Sequence, residues 1–258
     1  MIEIHHLGYQ FVNMGGIDVD RKEGSGDYLL IYFRCPVEVN LTGEYEKIPE
    51  NTFVLYKKGH PQIYRKTDGH FINDWVHFDF SEEEDFFEKL KIPFNTLIRL
   101  PQSKPVTDMI SDLYIEYFNV GESHQKIMDQ KARALFHKFS DLYQFAQKNS
   151  PKKVKYLEEM IEIRKKIQNF ECHPEGAEEL ARQMHISTSY FQHLYKEFFG
   201  IPVNYDIING RIEHAAHLLN GTEHSITEIA AICGYESLEH FSRQFKKIKG
   251  CSPMKYRN

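Results

Sequence analysis

The chain has 258 residues, 41% hydrophobic and 27% charged, with 32 Lys and Arg against 37 Asp and Glu for a formal net charge of −5. At about 150 residues per domain this length predicts two domains, and the composition excludes a mainly disordered chain, a collagenous repeat and a small disulfide-stapled scaffold. No run approaches the roughly 18–20 consecutive apolar residues that span a bilayer, and Met1-Ile2-Glu3-Ile4-His5-His6 lacks the layout of a signal peptide. The expectation is a soluble, cytoplasmic protein with no membrane partner.

Taken in chain order, residues 1–26 read as turns or a loosely held arm, marked by Gly15-Gly16 and Gly24-Ser25-Gly26. From Tyr28 to Phe80 come short segments rich in aromatic and β-branched residues. Tyr28–Phe33 and Trp75–Phe80 are the clearest, with Val37–Leu41, Glu44–Ile48, Thr52–Tyr56 and Gln62–Lys66 between them. Strands at this spacing predict an antiparallel barrel or sandwich. After Ser81 the apolar period becomes helical. Val106, Met109, Ile110, Leu113, Tyr114, Tyr117 and Phe118 form one stripe, and Met128, Ala132, Leu135, Phe136, Phe139, Leu142, Tyr143 and Ala146 form another. Asn119-Val120-Gly121 separates them, which predicts a helical hairpin whose stripes pack on the sheet, line a dimer seam, or divide these tasks.

Asn149-Ser150-Pro151-Lys152-Lys153 is the predicted linker, with one domain at 1–150 and another at 151–258. The charge divides there too. Residues 1–151 hold 17 basic and 23 acidic side chains (net −6), and residues 152–258 hold 15 and 14 (net +1), so the acidity belongs to the first half. Cys35, Cys172, Cys233 and Cys251 form no CxxC and read as reduced, mostly buried thiols.

The second half repeats itself. Glu179-Leu180-Ala181 answers to Glu228-Ile229-Ala230 at an offset of 49, whereas Ser187, Phe191, Tyr195, Lys196 and Gly200 answer to Ser237, Phe241, Phe245, Lys246 and Gly250 at an offset of 50. Each copy predicts a short helix, a tight turn, and a longer helix begun by a capping Ser and ended by Gly. Gly234 suits the second turn because glycine takes positive φ without strain, and His185 fills the matching place at a small cost. The first long helix offers Ser189, Gln192, His193 and Lys196 on its polar side, and the second offers Leu238, Glu239, Ser242, Arg243 and Lys246. Gln pairs with adenine and Arg with guanine in a major groove, whereas Lys positions on phosphate, with Lys247 and Lys249 as further phosphate candidates. Two copies joined by the helix Val203–Asn220 predict two recognition helices in successive major grooves of double-stranded DNA.

The series Ile229-Ala230, Gly234-Tyr235, Ser237, Phe241, Arg243, Phe245-Lys246, Gly250, Ser252-Pro253 and Tyr256-Arg257 resembles the signature of the AraC/XylS family of transcription regulators, and Arg211-Ile212, Ala215 and Leu218-Leu219 resemble its connecting helix. The resemblance covers about the last hundred residues strongly. It implies that Ser189, Gln192, His193, Leu238, Glu239, Ser242 and Arg243 face bases. Glu239 departs from the pattern, either as an acceptor from a cytosine amino group or as a repeller of phosphate.

Ahead of this half, the resemblance implies a cupin-like antiparallel β-barrel with a helical hairpin, and so an α+β chain whose C-terminal domain is all-α with two helix-turn-helix motifs. It also implies a pocket for a small-molecule effector, a carbohydrate, lined by Arg34, Tyr64, Asn73 and Trp75. An Arg fork and an Asn amide bond hydroxyls, and an indole stacks on a sugar ring. Trp75 as plain core and Arg34 in an ion pair is the competing reading. A homodimer, transcription activation and contact with RNA polymerase follow by the same resemblance. The rival reading is a cupin-type metalloenzyme, an isomerase or oxygenase, fused to a DNA-binding tail. His60, His70 and His77 invite a three-histidine metal site, but Gln62 stands where metal cupins carry a turn histidine, and no GxHxH cluster occurs. His214 and His217 lack the HExxH order. No nucleophile-and-base or phosphate-loop pattern is present, so no cofactor, metal or catalytic residue is predicted.

Overall fold

The computed structural model describes residues 1–81, 86–169 and 176–257. Cys172, singled out above, lies outside the described residues. Two compact units are present, Met1–Val154 and Lys155–Asn258.

Among its described residues the first unit contains nine strands: β1 (Ile2–Asn13), β2 (Ile17–Arg21), β3 (Tyr28–Phe33), β4 (Val37–Asn40), β5 (Glu46–Ile48), β6 (Thr52–Tyr56), β7 (Gln62–Lys66), β8 (Phe71–Phe80) and β9 (Leu97–Ile98). They form a five-stranded sheet in the order β1-β8-β3-β6-β9 and a four-stranded sheet in the order β2-β7-β4-β5. All described pairings are antiparallel. The expected barrel is therefore not closed, because the described strands of one sheet do not hydrogen-bond to those of the other. What joins the sheets is side-chain packing. Leu29, Ile31 and Phe33 of β3 face Val37, Val39 and Tyr64 across an apolar layer. Leu30 and Tyr32 point the other way, toward the helices. Burial on both faces explains why β3 reads as an unbroken apolar run rather than an alternation.

The predicted strands recur with shifts of a few residues at their ends. The N-terminal arm does not remain loose. Its residues form β1, paired along most of β8 with two register shifts, and β2, paired with β7. Ile2 and Leu7 are buried there.

Helices α1 (Phe86–Leu90), α2 (Lys104–Tyr117) and α3 (His124–Lys148) complete this unit. Met128, Ala132, Leu135, Phe136, Phe139 and Leu142 of α3 pack into one core with Val106, Ile110 and Leu113 of α2 and the outer face of the large sheet. The end of the first stripe differs, since Tyr114 and Phe118 lie at the surface with Ile115.

Helix α4 (Pro151–Gln168) begins inside the predicted linker. Ser150 starts it, because its carbonyl accepts from Val154 N and its Oγ from Lys153 N. Proline in the first helical turn loses no intrahelical bond, so Ser-Pro is a helix start here rather than a break. The rest of the second unit is α5 (Ala177–Gln183), α6 (Thr188–Phe199), α7 (Val203–Gly221), α8 (Ile226–Ile232), α9 (Leu238–Lys249) and α10 (Pro253–Arg257). It holds two cores. One joins α4, α5 and α6 to the start of α7. The other joins the rest of α7 to α8 and α9, with Tyr256 of α10 against it.

Candidate nucleic-acid interface

The helix pairs α5–α6 and α8–α9 are built alike from the turn outward. At the end of α5, Ile186 N donates to Ala181 O (3.1 Å), and at the end of α8, Tyr235 N donates to Ala230 O (2.9 Å). These six-to-one closures need a left-handed residue just before the donor. His185 (φ 55°) and Gly234 (φ 76°) supply it. After the turn, Ser187 is one residue beyond Ile186, but Glu236 separates Tyr235 from Ser237. That extra residue is why the repeat offset changes from 49 to 50.

Each longer helix is capped as its sequence predicts. Ser187 accepts from Tyr190 N and Ser237 from His240 N, while Gly200 (φ 74°) and Gly250 (φ 78°) end the two helices in the left-handed region. Helix α8 has a full capping box, Ser225 with Glu228. Phe191, Leu194 and Tyr195 anchor α6, and Phe241 and Phe245 anchor α9. Phe191 is fully buried, whereas Tyr190 is 40% exposed, edge-on to Tyr156 of α4.

With those anchors inward, Ser189, Gln192, His193 and Lys196 are all exposed on α6. On α9, Leu238, Glu239, Arg243 and Lys246 are exposed and Ser242 is half-buried. The structure thus brings each predicted set together on the outer side of its own helix. Glu239 is partly engaged within the protein, since Ser237 Oγ donates to its carboxylate (2.7 Å). That hydrogen bond, followed by Glu239's own backbone, holds its carboxyl below the usual range. An acidic residue in the first turn of a helix is favourably placed toward the positive end of the dipole. Lys249, a phosphate candidate, is instead bound to Glu213 of α7 (2.6 Å) and is 18% exposed. Lys246 and Lys247 are exposed.

Two side chains of α7 support this interface, and of these only Arg211 belongs to a motif named above. Asp206 of α7 is buried and accepts from Tyr195 Oη (2.7 Å) and Arg164 Nε (2.9 Å). Burial first, then the Asp206 carboxylate, pushes the Tyr195 phenol up. Arg211 of α7 lies over the Tyr235 ring and reaches Gly234 O at the second turn. A helix-period reading of α4 and α7 could have assigned their faces but not these partners, which lie far apart in sequence.

The residues expected to line an effector pocket do not all converge. Arg34 forks onto the buried Asp74 (2.8 and 2.7 Å), which also accepts from Gln10 N (2.7 Å), and it packs over the rings of Tyr9 and Tyr32. It therefore lies on the helix side of the large sheet. Tyr64 and Trp75 belong to the layer between the sheets, Tyr64 fully within it and Trp75 at its margin. Asn73 shares that face of β8 with Phe71 and Trp75, and its buried Oδ1 has no hydrogen-bond partner. One side of the indole is covered by β1, since a Cβ on Gly8 would come within 2.5 Å of Trp75 Nε1.

The histidines considered for metal are dispersed: His60 packs on Tyr56, His70 on Met14 O, and His77 on Asp27 (2.8 Å). Among the described residues no three His, Cys, Asp or Glu side chains gather as a metal site. Burial, and after it the neighbouring His217, pulls the half-buried His214 down. Cys35 and Cys233 are buried free thiols, and Cys251 is half-buried. No helix among the described residues is long and apolar enough to cross a membrane.

Comparison with known proteins matches residues 180–258 to the family model described as a helix-turn-helix domain. A putative HTH-type transcriptional regulator of Escherichia coli K12, YkgA, is 34% identical over 116 residues, covering 41% of this chain and 48% of the relative. The F1 operon positive regulatory protein of Yersinia pestis is 36% identical over 104 residues, covering 40% of this chain and 32% of the relative. The chain thus spans less than half the length of either relative. Among solved structures, the C-terminal domain of AraT, a response regulator from Geobacillus stearothermophilus, is 35% identical over 38% of this chain and 83% of that chain, with a TM-score of 0.36. Over residues 180–258, the second unit of this chain carries a helix-turn-helix domain.

Proposed function

We propose that the chain is a transcription regulator that reads double-stranded DNA through α6 and α9, acts in the cytoplasm, and responds to a small-molecule effector through its first unit. The observation that carries the reading is the duplication: two helices with matched caps, matched turns and outward polar faces in one compact unit. Phosphate contact falls to Lys196, Lys246 and Lys247, and base contact to Ser189, Gln192, His193, Leu238, Ser242 and Arg243, with Glu239 shared between its cap and the groove. A net charge of +1 across residues 152–258 is modest for a DNA binder, so affinity depends on placed cations and on two linked subunits.

Activation is the proposed sense of regulation, in keeping with the name of the Yersinia pestis relative, with RNA polymerase as the partner. The homodimer is proposed to form through the first unit. The sensing and dimerising domain is residues 1–150 and the DNA-binding domain 151–258. The effector is a hydroxylated molecule such as a carbohydrate, held at the inter-sheet layer by Tyr64, Asn73 and Trp75. Support comes from the unpartnered Asn73 Oδ1 and Tyr56 Oη in that region, since buried polar atoms without partners favour a ligand that completes them. Arg34, tied to Asp74, acts there only through the sheet.

Selection of binding sites from a random duplex pool by the full chain tests the DNA reading. Arg243→Ala should relax preference at one position of the enriched motif, at a cost of about 1–3 kcal/mol, whereas Lys246→Ala should weaken all sequences alike and reduce the salt slope by about 1. An enriched motif unchanged by Arg243→Ala would remove α9 from the reading. The lone tryptophan, Trp75, reports on the effector site by fluorescence against a sugar panel. Silence across the panel, with DNA binding intact, counts against the carbohydrate.

A further inference from the structure

The buried carboxylate of Asp206 has no counterpart in the second helix-turn-helix. The repeat offset of 50 that pairs Tyr195 with Phe245 also pairs Asp206 with Tyr256. In the second copy these two positions are an aromatic pair at 5.3 Å, edge to face. In the first, Tyr195 Oη and Arg164 Nε both donate to Asp206 Oδ2. The Arg164 guanidinium packs over Phe199 (4.5 Å), whose ring contacts Tyr195 (4.7 Å). Asp206 is only 7% exposed.

Burying a carboxylate is costly, and an apolar pair of similar volume commonly packs as well or better. The second copy shows that this fold closes without the charge. Holding the core together is therefore not what distinguishes the ionic version. Direction is. An apolar contact tolerates small rotations, but two donors from different helices converging on one oxygen fix an angle. The donors come from α6 and α4, and the acceptor from α7. Tyr195 is buried on the inner side of α6, one turn along from the exposed Gln192. Helix α4 touches α6 a second time near its start, through Tyr156 and Tyr190 at 5.9 Å. Together these contacts set the rotation of α6 about its own axis.

We propose that Asp206 is a positioning residue for DNA reading: through Tyr195 and Arg164 it fixes the rotation of α6 so that Gln192 and its neighbours meet base edges, a constraint that α9 does without. This rests on the DNA-reading role proposed above. Hydrogen bonding to base edges depends strongly on angle, whereas a lysine on phosphate does not. Loosening the latch therefore degrades base preference more than general affinity, and only in the part of the site that α6 reads.

The test uses the full chain and the motif it enriches from a random duplex pool. Gln192→Ala identifies the part of the motif read by α6 and Arg243→Ala the part read by α9. Tyr195→Phe, which removes one hydroxyl and no packing, should cut discrimination in α6's part by about tenfold and leave α9's part sharp. Arg164→Met with Tyr195→Phe and Asp206→Leu imitates the apolar arrangement of the second copy. This triple variant should remain folded, with thermal unfolding close to that of the parent, yet show the same one-sided loss. Sharp preference in both parts for either variant overturns the proposal, and so does equal loss in both parts, which is what plain destabilisation produces. If the unaltered chain enriches no motif, the DNA-reading role itself fails, a result distinct from a motif that the latch variants leave untouched.

Discussion

Gly210 sits on the inner face of α7 where α4 comes closest, and a Cβ built there lies 2.7 Å from the backbone carbonyl oxygen of Ile167. In an exposed helix, Gly→Ala gains about 0.5–1 kcal/mol because alanine loses less backbone entropy on folding. At Gly210 the neighbour is backbone, which cannot swing aside. Forcing a methyl into a packed site costs about 1–3 kcal/mol. Overpacking wins, and Gly210→Ala should destabilise the second unit by roughly 0.5–2 kcal/mol. For a domain near a hundred residues each kcal/mol moves the midpoint by about 4–8 °C. The expected result is a fall of several degrees in the thermal transition of that unit, followed by far-ultraviolet circular dichroism on the full chain. Gly221 supplies the control. It ends the same helix with nothing within 4 Å of a new Cβ, so Gly221→Ala should be neutral or mildly stabilising. A midpoint that rises for Gly210→Ala as it does for Gly221→Ala would refute the close approach of α4 to α7.

Further outcomes follow from the turns, caps and thiols. Gly234→Ala, at φ 76°, should cost about 1–2 kcal/mol in urea unfolding. His185→Gly, at φ 55°, should shift stability by no more than about 0.5 kcal/mol, since the strain relieved is offset by added freedom in the unfolded chain. Equal responses at the two positions would deny their equivalence. The Ser225 backbone N–H, and then its hydroxyl, hold the Glu228 carboxyl below its usual 4.5. Its contribution to stability is therefore present above that pH and lost as pH falls through the depressed value, so Glu228→Gln should flatten the acid limb of a stability–pH curve. An unaltered acid limb removes the capping box from the account. Burial pushes the Cys233 thiol up to about 11. Iodoacetamide at neutral pH should label Cys251 before Cys233 in the folded chain, and equal labelling would contradict the packing around α8.

The parts of the fold legible in the sequence are those governed by local rules. Ser187 and Ser237 sit where an Ncap belongs, and Gly200 and Gly250 where a helix must end. The stripes through Phe191, Tyr195, Phe241 and Phe245 assign inner and outer faces, so the candidate DNA contacts emerge correctly on the outside. The N-terminal arm was not legible because β1 is held by β8, some seventy residues away, and nothing within residues 1–26 announces that partner. The barrel expectation erred for a related reason. Strand spacing predicts antiparallel strands but not whether the last edge meets the first, and here the two sheets are joined by packing alone. The Ser-Pro step at 150–151 has two local meanings, break or start, and the contacts of Tyr156, Met160 and Ile163 decide for the second.

The sequence by itself determined the duplication, the two-part organisation and the outward polar faces of α6 and α9, because capping, turn chemistry and helical period act over a few residues. Tertiary structure alone decided that Arg34 serves Asp74 rather than the inter-sheet layer, that Lys249 serves Glu213, and that Asp206 gathers Tyr195 and Arg164. These are choices of partner between distant residues. A buried charge accepts whichever opposite group the fold brings within about 3 Å, and only the folded chain sets that distance.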